Sequence, residues 1–304
     1  MIPLTRITSV AGAAPVPVGM FDFSQYIELV RGLGEVLSLP LDVVHERLFR
    51  EAVAIGWNVN QAAQQFHVTP HVFDAKMEAL YRTDAFVFEL VVVHASAYCC
   101  ELDRRVSDAI VAEYGSFVGL RVLAFGDGIG TDALRFAVAG HDVTYSEFEG
   151  PSSRFARYRF RKAGFAEKIR VVHGPEVLPR GCYDVVICRE VLEHVANPPS
   201  LITQLREYLA RDGIAIVTES FSRVEPAFPT HLAENAKYSG RTEELFVEIG
   251  FRLRRSFPEK RPMVFSRADI MDQSRFGSLP RRRPSAIRDG IARAGRFLLR
   301  RISF

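Results

Sequence analysis

The chain has 304 residues, 48% of them hydrophobic and 25% charged, with a net charge of +3; this is the balance of a globular protein long enough to bury a substantial core. No apolar run reaches the ~20 residues needed to cross a bilayer, since the best candidate, Phe86 to Cys100, is broken by Glu89 and His94. The four cysteines, Cys99, Cys100, Cys182 and Cys188, include no C-x-x-C pair for zinc or redox exchange, so we read reduced thiols, a cytoplasmic location and no metal site.

Residues 1–19 hold only Arg6 ahead of a Pro-broken apolar stretch, a poor secretory signal, and are read as a flexible arm. From 20 to 115 the apolar residues recur at helical spacing, in Phe21–Val30 and again in Val43–Ile55. One long helix is expected from Asp84 to Tyr114, stopped by Gly115. The region is expected to serve as a lid or as a dimer-forming piece. Asn60 to Val72 has the look of a helix-turn-helix, with Thr69-Pro70 opening its second helix. Yet Asp74 and Glu78 offset Lys76 and Arg82 there, a poor surface for phosphates, and no nucleic-acid partner is expected.

From Val118 onward the pattern alternates. Strands are expected at 120–125, 142–147, 168–172, 183–188 and 213–218, with helices near 130–139, 151–163 and 198–210. Such alternation builds an α/β fold with a parallel sheet wound on both faces. A helix at 241–249 ends at Gly250, and two short runs, Phe251–Phe257 and Pro262–Phe265, can add an antiparallel pair. This core is assigned to 116–268. The tail, 269–304, is basic: Gln273 to Phe304 carries nine arginines and one acid, +8 against −5 for the rest of the chain. Ile287, Ile291, Ala294, Leu298 and Ile302 share one helical face opposite Arg293, Arg296 and Arg300. That helix would lie on an anionic membrane or a partner protein, or pack back on the body; the pattern leaves these open.

The most informative stretch is Arg121-Val-Leu-Ala-Phe-Gly-Asp-Gly-Ile-Gly-Thr-Asp132. A short apolar strand runs into Gly126, Gly128 and Gly130 and then a helix, and the next strand ends on Glu147. A dinucleotide fold spaces its glycines as G-x-G-x-x-G so that a pyrophosphate rests on the helix N-terminus. Here the third glycine comes one residue early, and Asp127 between the first two is a poor neighbour for an anion. A cationic or zwitterionic nucleoside is the better fit, with Glu147 accepting from both ribose hydroxyls.

These residues resemble the first two motifs of class I S-adenosylmethionine-dependent methyltransferases of the small-molecule type. Tyr183-Asp-Val-Val-Ile-Cys-Arg-Glu-Val-Leu-Glu-His-Val195 is similar to the family's fourth motif, and Arg211–Glu219 to the strand after it, entered through a turn at Gly213. The resemblance implies a mostly parallel seven-stranded sheet closed by an antiparallel pair. It also implies S-adenosylmethionine as cofactor and transfer of its methyl group to O, N or C of a small acceptor, in a biosynthetic or tailoring role. Phe125, Gly126, Asp127, Gly128 and Gly130 would face its amino-acid end, Glu147 and Phe148 its ribose and adenine, and Cys188 and Arg189 the floor. His173 and Gly174, at the end of the third strand, are further cofactor-binding candidates. One departure is Ala124, where many relatives carry an acid that holds the amino end; Asp127 or Asp132 would have to compensate. The alternative is a non-catalytic relative serving as scaffold or regulator.

Methyl transfer from a sulfonium needs mainly positioning; a base matters only where the acceptor loses a proton. His194, beyond the fourth strand, is the first candidate, since imidazole titrates near neutral pH. His231, Asn235 and Tyr238 fall at i, i+4 and i+7, which on a helix aligns them along one polar face near the acceptor. Asn197-Pro-Pro-Ser200 is read only as a helix start.

Overall fold

The computed structural model describes residues 23–115, 118–174 and 178–268. The N-terminal arm, Pro175, Glu176 and the basic tail, where a two-faced helix is expected, lie outside them. Seven strands form one mixed sheet in the order β3-β2-β1-β4-β5-β7-β6. They are β1 (Arg121–Phe125), β2 (Asp142–Ser146), β3 (Ile169–Val172), β4 (Tyr183–Arg189), β5 (Leu209–Thr218), β6 (Phe251–Ser256) and β7 (Met263–Arg267). The first five run parallel, and β7 joins β5 and β6 antiparallel. The expected closing pair is therefore present.

Strand sequences that are apolar at every position predict burial on both faces. The alternation confirms it: Val122, Ala124, Val185, Ile187, Ile214 and Ile216 enter one cluster with α6 (Ala97–Tyr114), α7 (Thr131–Val138) and α8 (Pro151–Lys162). Leu123, Val186, Cys188, Ala215 and Val217 enter the other, against α9 (Pro198–Tyr208) and α10 (Thr242–Glu248). The fifth strand starts four residues earlier than the sequence suggested. Its pairing with β4 shifts register before Ile214, so Gly213 lies inside the strand and not in an entry turn. A Cβ there would meet the Tyr183 carbonyl oxygen at 2.7 Å, a close approach only glycine permits.

The N-terminal region is helical as expected: α1 (Phe23–Leu37), α2 (Leu41–Val53), α3 (Trp57–Gln65), α4 (Ala75–Tyr81) and α5 (Ala85–His94) precede α6. Two boundaries differ from the sequence reading. The long helix from Asp84 breaks into α5 and α6 with a 73° bend, because Ser96 takes an extended conformation and its hydroxyl accepts from the Cys99 N–H at 3.2 Å, starting a new helix. The second helix of the Asn60–Val72 motif opens at Asp74, whose carboxylate accepts from the Lys76 and Met77 N–H groups, and not at Thr69-Pro70. Among the described residues no single helix is long and apolar enough to cross a membrane. Buried Glu51 accepts from the Gly56 and Asn58 N–H groups and so starts α3. Arg47 pairs with both oxygens of Asp84 at 2.8 and 2.9 Å.

At the bend, His94 has a buried Nδ1 with no partner. Burial first, then the nearby Arg189 guanidinium, takes its pKa down to about 4. A histidine whose folded pKa is depressed stabilises the fold fully above the unfolded value near 6.5, and that share is lost as pH falls toward 4. At about 1.4 kcal/mol per unit, wild type should lose roughly 2 kcal/mol between pH 7 and pH 5 relative to His94→Leu. Denaturant melts of both proteins at the two pH values measure the difference; parallel losses would show that His94 does not titrate in this window.

Candidate active site

The site lies at the carboxyl ends of the parallel strands, where open α/β sheets bind ligands. Gly126, Gly128 and Gly130 all have positive φ, +65°, +50° and +76°, so the alternating glycines make a turn that L side chains rarely adopt. Glu147, just past β2, is half-buried beside it. Its Oε2 accepts from the Gly128 N–H and its Oε1 from the Phe148 N–H, both at 2.8 Å. The carboxylate is thus pinned at the mouth of the glycine turn, with acceptor capacity left on each oxygen. Burial raises its pKa, against the pull of those two N–H groups. Phe148 is 73% exposed, an aromatic face standing open beside the carboxylate. His173 Nδ1 hydrogen-bonds the Glu147 carbonyl at 3.0 Å, and Gly174 follows in a positive-φ turn.

Other predicted cofactor residues do different work. Asp127 turns inward: its oxygens accept from the Asp132 and Ala133 N–H groups at 3.0 and 2.7 Å, capping α7. Both of its oxygens are thus spent on the α7 N-terminus. Asp132 is likewise occupied, 2.6 Å from Arg135 and 2.9 Å from Arg189. Although burial opposes its charge, those two guanidinium groups hold its pKa below the usual carboxylate value. Neither acid stands in for the one missing at Ala124, which is itself sealed in the core. Arg189 is 8% exposed and committed to Asp103 and Asp132, which ties β4 to α6 and α7. Cys188 is fully buried among apolar side chains and offers a ligand no surface. Gly130 serves packing: a Cβ there would lie 2.5 Å from Phe160 and 2.9 Å from Ala156 of α8. Phe125 points to the α9 side, 6.4 Å from the Tyr208 ring.

Two aliphatic side chains overlie the turn. A Cβ on Gly126 would meet Val191 at 2.6 Å, and one on Gly128 would meet Leu90 of α5 at 2.6 Å. Leu90 thus brings α5 over Gly128, and Val191 brings the loop after β4 over Gly126. The segment between β5 and α10 is stitched to both parts. His71 of the helical region makes two main-chain bonds with it, its N–H donating to the Pro229 carbonyl at 2.7 Å and its carbonyl accepting from the Ala233 N–H at 3.0 Å, while Leu232 N–H reaches the Glu193 carbonyl at 3.0 Å.

This arrangement revises the acceptor-side expectations. His231, Asn235 and Tyr238 do not share one helical face, because the helix there is a short 3-10 turn beginning at Ala233. Asn235 is buried, and its amide donates to the carbonyls of Leu192, Glu193 and Val195, at 2.9 Å for the last. Tyr238 packs 5.6 Å from Phe221 against the α9 cluster. His231 does come into the site, 4.8 Å from the His194 ring and edge-on to it. His194 Nδ1 lies 3.2 Å from the Thr230 carbonyl and 3.0 Å from the Tyr81 hydroxyl. Burial takes the His194 pKa down to about 4 and that of His231 to about 3. Both rings are neutral at pH 7 and are weak bases, contrary to the near-neutral titration expected of His194.

Sequence reasoning missed three members of this neighbourhood. Glu193 is 1% exposed, with neither carboxylate oxygen hydrogen-bonded. Tyr81 reaches His194 from α4, and Glu89 of α5 has a pKa raised by burial, then by Glu51, to about 8. Adjacency of Glu193 and His194 was the one signal available; the rest depends on where α4, α5 and the Thr230 segment fold back.

Comparison with known proteins agrees with the geometry. A family model described as a methyltransferase domain matches residues 95–269, more than half of the chain. Ubiquinone biosynthesis O-methyltransferase of Bordetella pertussis is 39% identical over 90 residues, 29% of this chain and 37% of that protein. The enzyme of the same name from Rickettsia prowazekii is 30% identical over 123 residues, 40% and 48% of the two chains. This chain thus spans less than half the length of either relative. Among solved structures, a mitomycin 7-O-methyltransferase superposes with TM-score 0.50 at 18% identity, covering 72% of this chain and 70% of that one, which shows a shared fold. Family model, sheet order and glycine turn agree: the chain belongs to the class I S-adenosylmethionine-dependent methyltransferases.

Proposed function

We propose that this protein transfers the methyl group of S-adenosylmethionine to a hydroxyl oxygen of a small biosynthetic acceptor. The observation that carries the reading is Glu147, held by the Gly128 N–H at the mouth of the glycine turn. From there its carboxylate takes the two ribose hydroxyls, Phe148 covers the adenine, and the turn at Gly126 and Gly128 receives the amino-acid end. Oxygen as the accepting atom draws on the ubiquinone O-methyltransferases among its relatives. The acceptor lies between α4, α5 and the Thr230–Asn235 segment. Metabolite extracts incubated with the protein and methyl-labelled cofactor should yield a labelled ether; label on nitrogen or carbon alone would overturn the choice of atom.

A second reading, a non-catalytic scaffold, is favoured by Val191 and Leu90 lying over the glycines. Titration calorimetry with S-adenosylhomocysteine separates the two: micromolar binding supports the enzyme, and no binding supports the scaffold.

A further inference from the structure

The loop after β4 and the segment before the Ala233 turn bring together three groups that the methyl-transfer reading leaves without a task. Glu193, His194 and His231 each offer a ligand atom, and these atoms lie within 4.8 Å of one another. Glu193 is 1% and His231 7% exposed. A buried carboxyl group without a hydrogen-bond partner costs a few kcal/mol unless something compensates it. No nearby cation does so by contact. Arg261 is spent on Glu190, on the Ser220 hydroxyl at 2.9 Å and on the Glu219 carbonyl, and Ser220 donates to Glu190 as well.

The histidines are also prepared as ligands. A metal-bound imidazole usually donates its other N–H to a carbonyl, which fixes tautomer and ring orientation. His194 meets this requirement in the tautomer whose Nδ1–H donates to the Thr230 carbonyl, with the Tyr81 hydroxyl at 3.0 Å from the same nitrogen; Nε2 then keeps its lone pair. On His231 the Nδ1 atom is buried without a partner, while the ring also bonds the main chain of Arg223. Asn235, by holding the carbonyls of residues 192, 193 and 195, fixes the loop that presents Glu193 and His194.

We infer that Glu193, His194 and His231 form a three-ligand site for a divalent transition-metal ion beside the proposed acceptor position. Two nitrogens and one carboxylate suit Zn2+, Mn2+, Fe2+ or Co2+ better than Mg2+ or Ca2+, which prefer all-oxygen sets. Donors each about 2.1 Å from one ion lie about 3.4 Å apart at tetrahedral angles, so the most distant ligand atoms need to draw in by about 1.4 Å. Three protein ligands leave a coordination position open, the mark of a catalytic rather than structural site. Its role rests on the methyl-transfer reading: the ion takes the acceptor hydroxyl oxygen and stabilises it as the oxyanion after its proton leaves to water. The oxygen lone pair then forms the O–CH3 bond as the S–CH3 bond breaks, and the sulfur keeps that electron pair as a neutral thioether.

The test is metal binding itself. Full-length protein, stripped with a chelator and dialysed, is titrated with Co2+ while visible d–d absorption is followed. One equivalent per chain is expected, displaced by Zn2+, with the affinity reduced at least ~100-fold in His231→Ala and in Glu193→Gln. Thermal melts confirm that each variant is folded; His231→Gln replaces any that is not. Absence of stoichiometric Co2+ or Zn2+, or equal affinity in wild type and both variants, overturns the site. S-adenosylhomocysteine binding by the stripped protein is read in parallel. Its persistence when no metal binds sinks the metal site alone, and its absence while metal binds sinks the cofactor reading alone.

Discussion

Replacing Glu147 by alanine should abolish practical cofactor binding while leaving the protein folded. The carboxylate sits at the end of β2 with Gly128 and Phe148 donating to it, and a ribose adds two hydrogen bonds to a charged acceptor. Hydrogen bonds to charged groups are worth about 1.5–3 kcal/mol each. Losing both costs about 4 kcal/mol, roughly 1,000-fold in the dissociation constant of S-adenosylhomocysteine. Glu147→Gln retains shape and one acceptor oxygen, and should fall between the two. Calorimetry on the three proteins measures the series. An unchanged constant in Glu147→Ala would show that the sugar binds elsewhere.

The second large effect concerns stability. Gly130→Ala places a methyl at φ +76° and 2.5 Å from the Phe160 ring, with Ala156 behind it. Left-handed backbone costs an L residue roughly 1 kcal/mol, and overpacking a filled core adds about 1–3. We expect about 3 kcal/mol in total, or a melting temperature lower by roughly 10 °C. Gly164→Ala is the internal comparison: it has φ +78° and nothing within 4 Å of the new Cβ, so it should show the backbone share alone. Equal losses in the two variants would mean that α8 yields freely and that Gly130 is not a packing position.

The sheet was legible because its strands are apolar at consecutive positions and its helices at every third or fourth, patterns that burial on both faces imposes directly. Five parallel strands, three crossover helices and the closing pair follow from that. The bend at Ser96 was hidden: residues on either side are good helix formers, and one hydroxyl accepting the Cys99 N–H decides the break. The candidate site was legible only in part. Gly126, Gly128 and Glu147 belong to a local strand–turn–helix–strand unit, so spacing sufficed for them. Asp127 and Arg189 were assigned to the ligand because a charged residue between glycines, or at a strand end, looks exposed in one dimension. In three, Asp127 meets the N-terminus of α7 and Arg189 meets Asp103 of α6. Glu193 and His231 stand 38 residues apart, and their meeting depends on main-chain bonds from His71 to the Pro229 and Ala233 backbone, which no periodicity encodes.

The position of Leu90 has a kinetic consequence. Its methyl group lies 2.6 Å from where a Cβ on Gly128 would be, over the turn that receives the cofactor's amino-acid end in the proposed reading, and it belongs to α5, which packs against α2, α3 and α8. If the cofactor takes that place, its association is gated by α5. At rising concentrations the observed rate should level off at the frequency with which α5 swings clear, and escape of the spent nucleoside should wait for the same excursion.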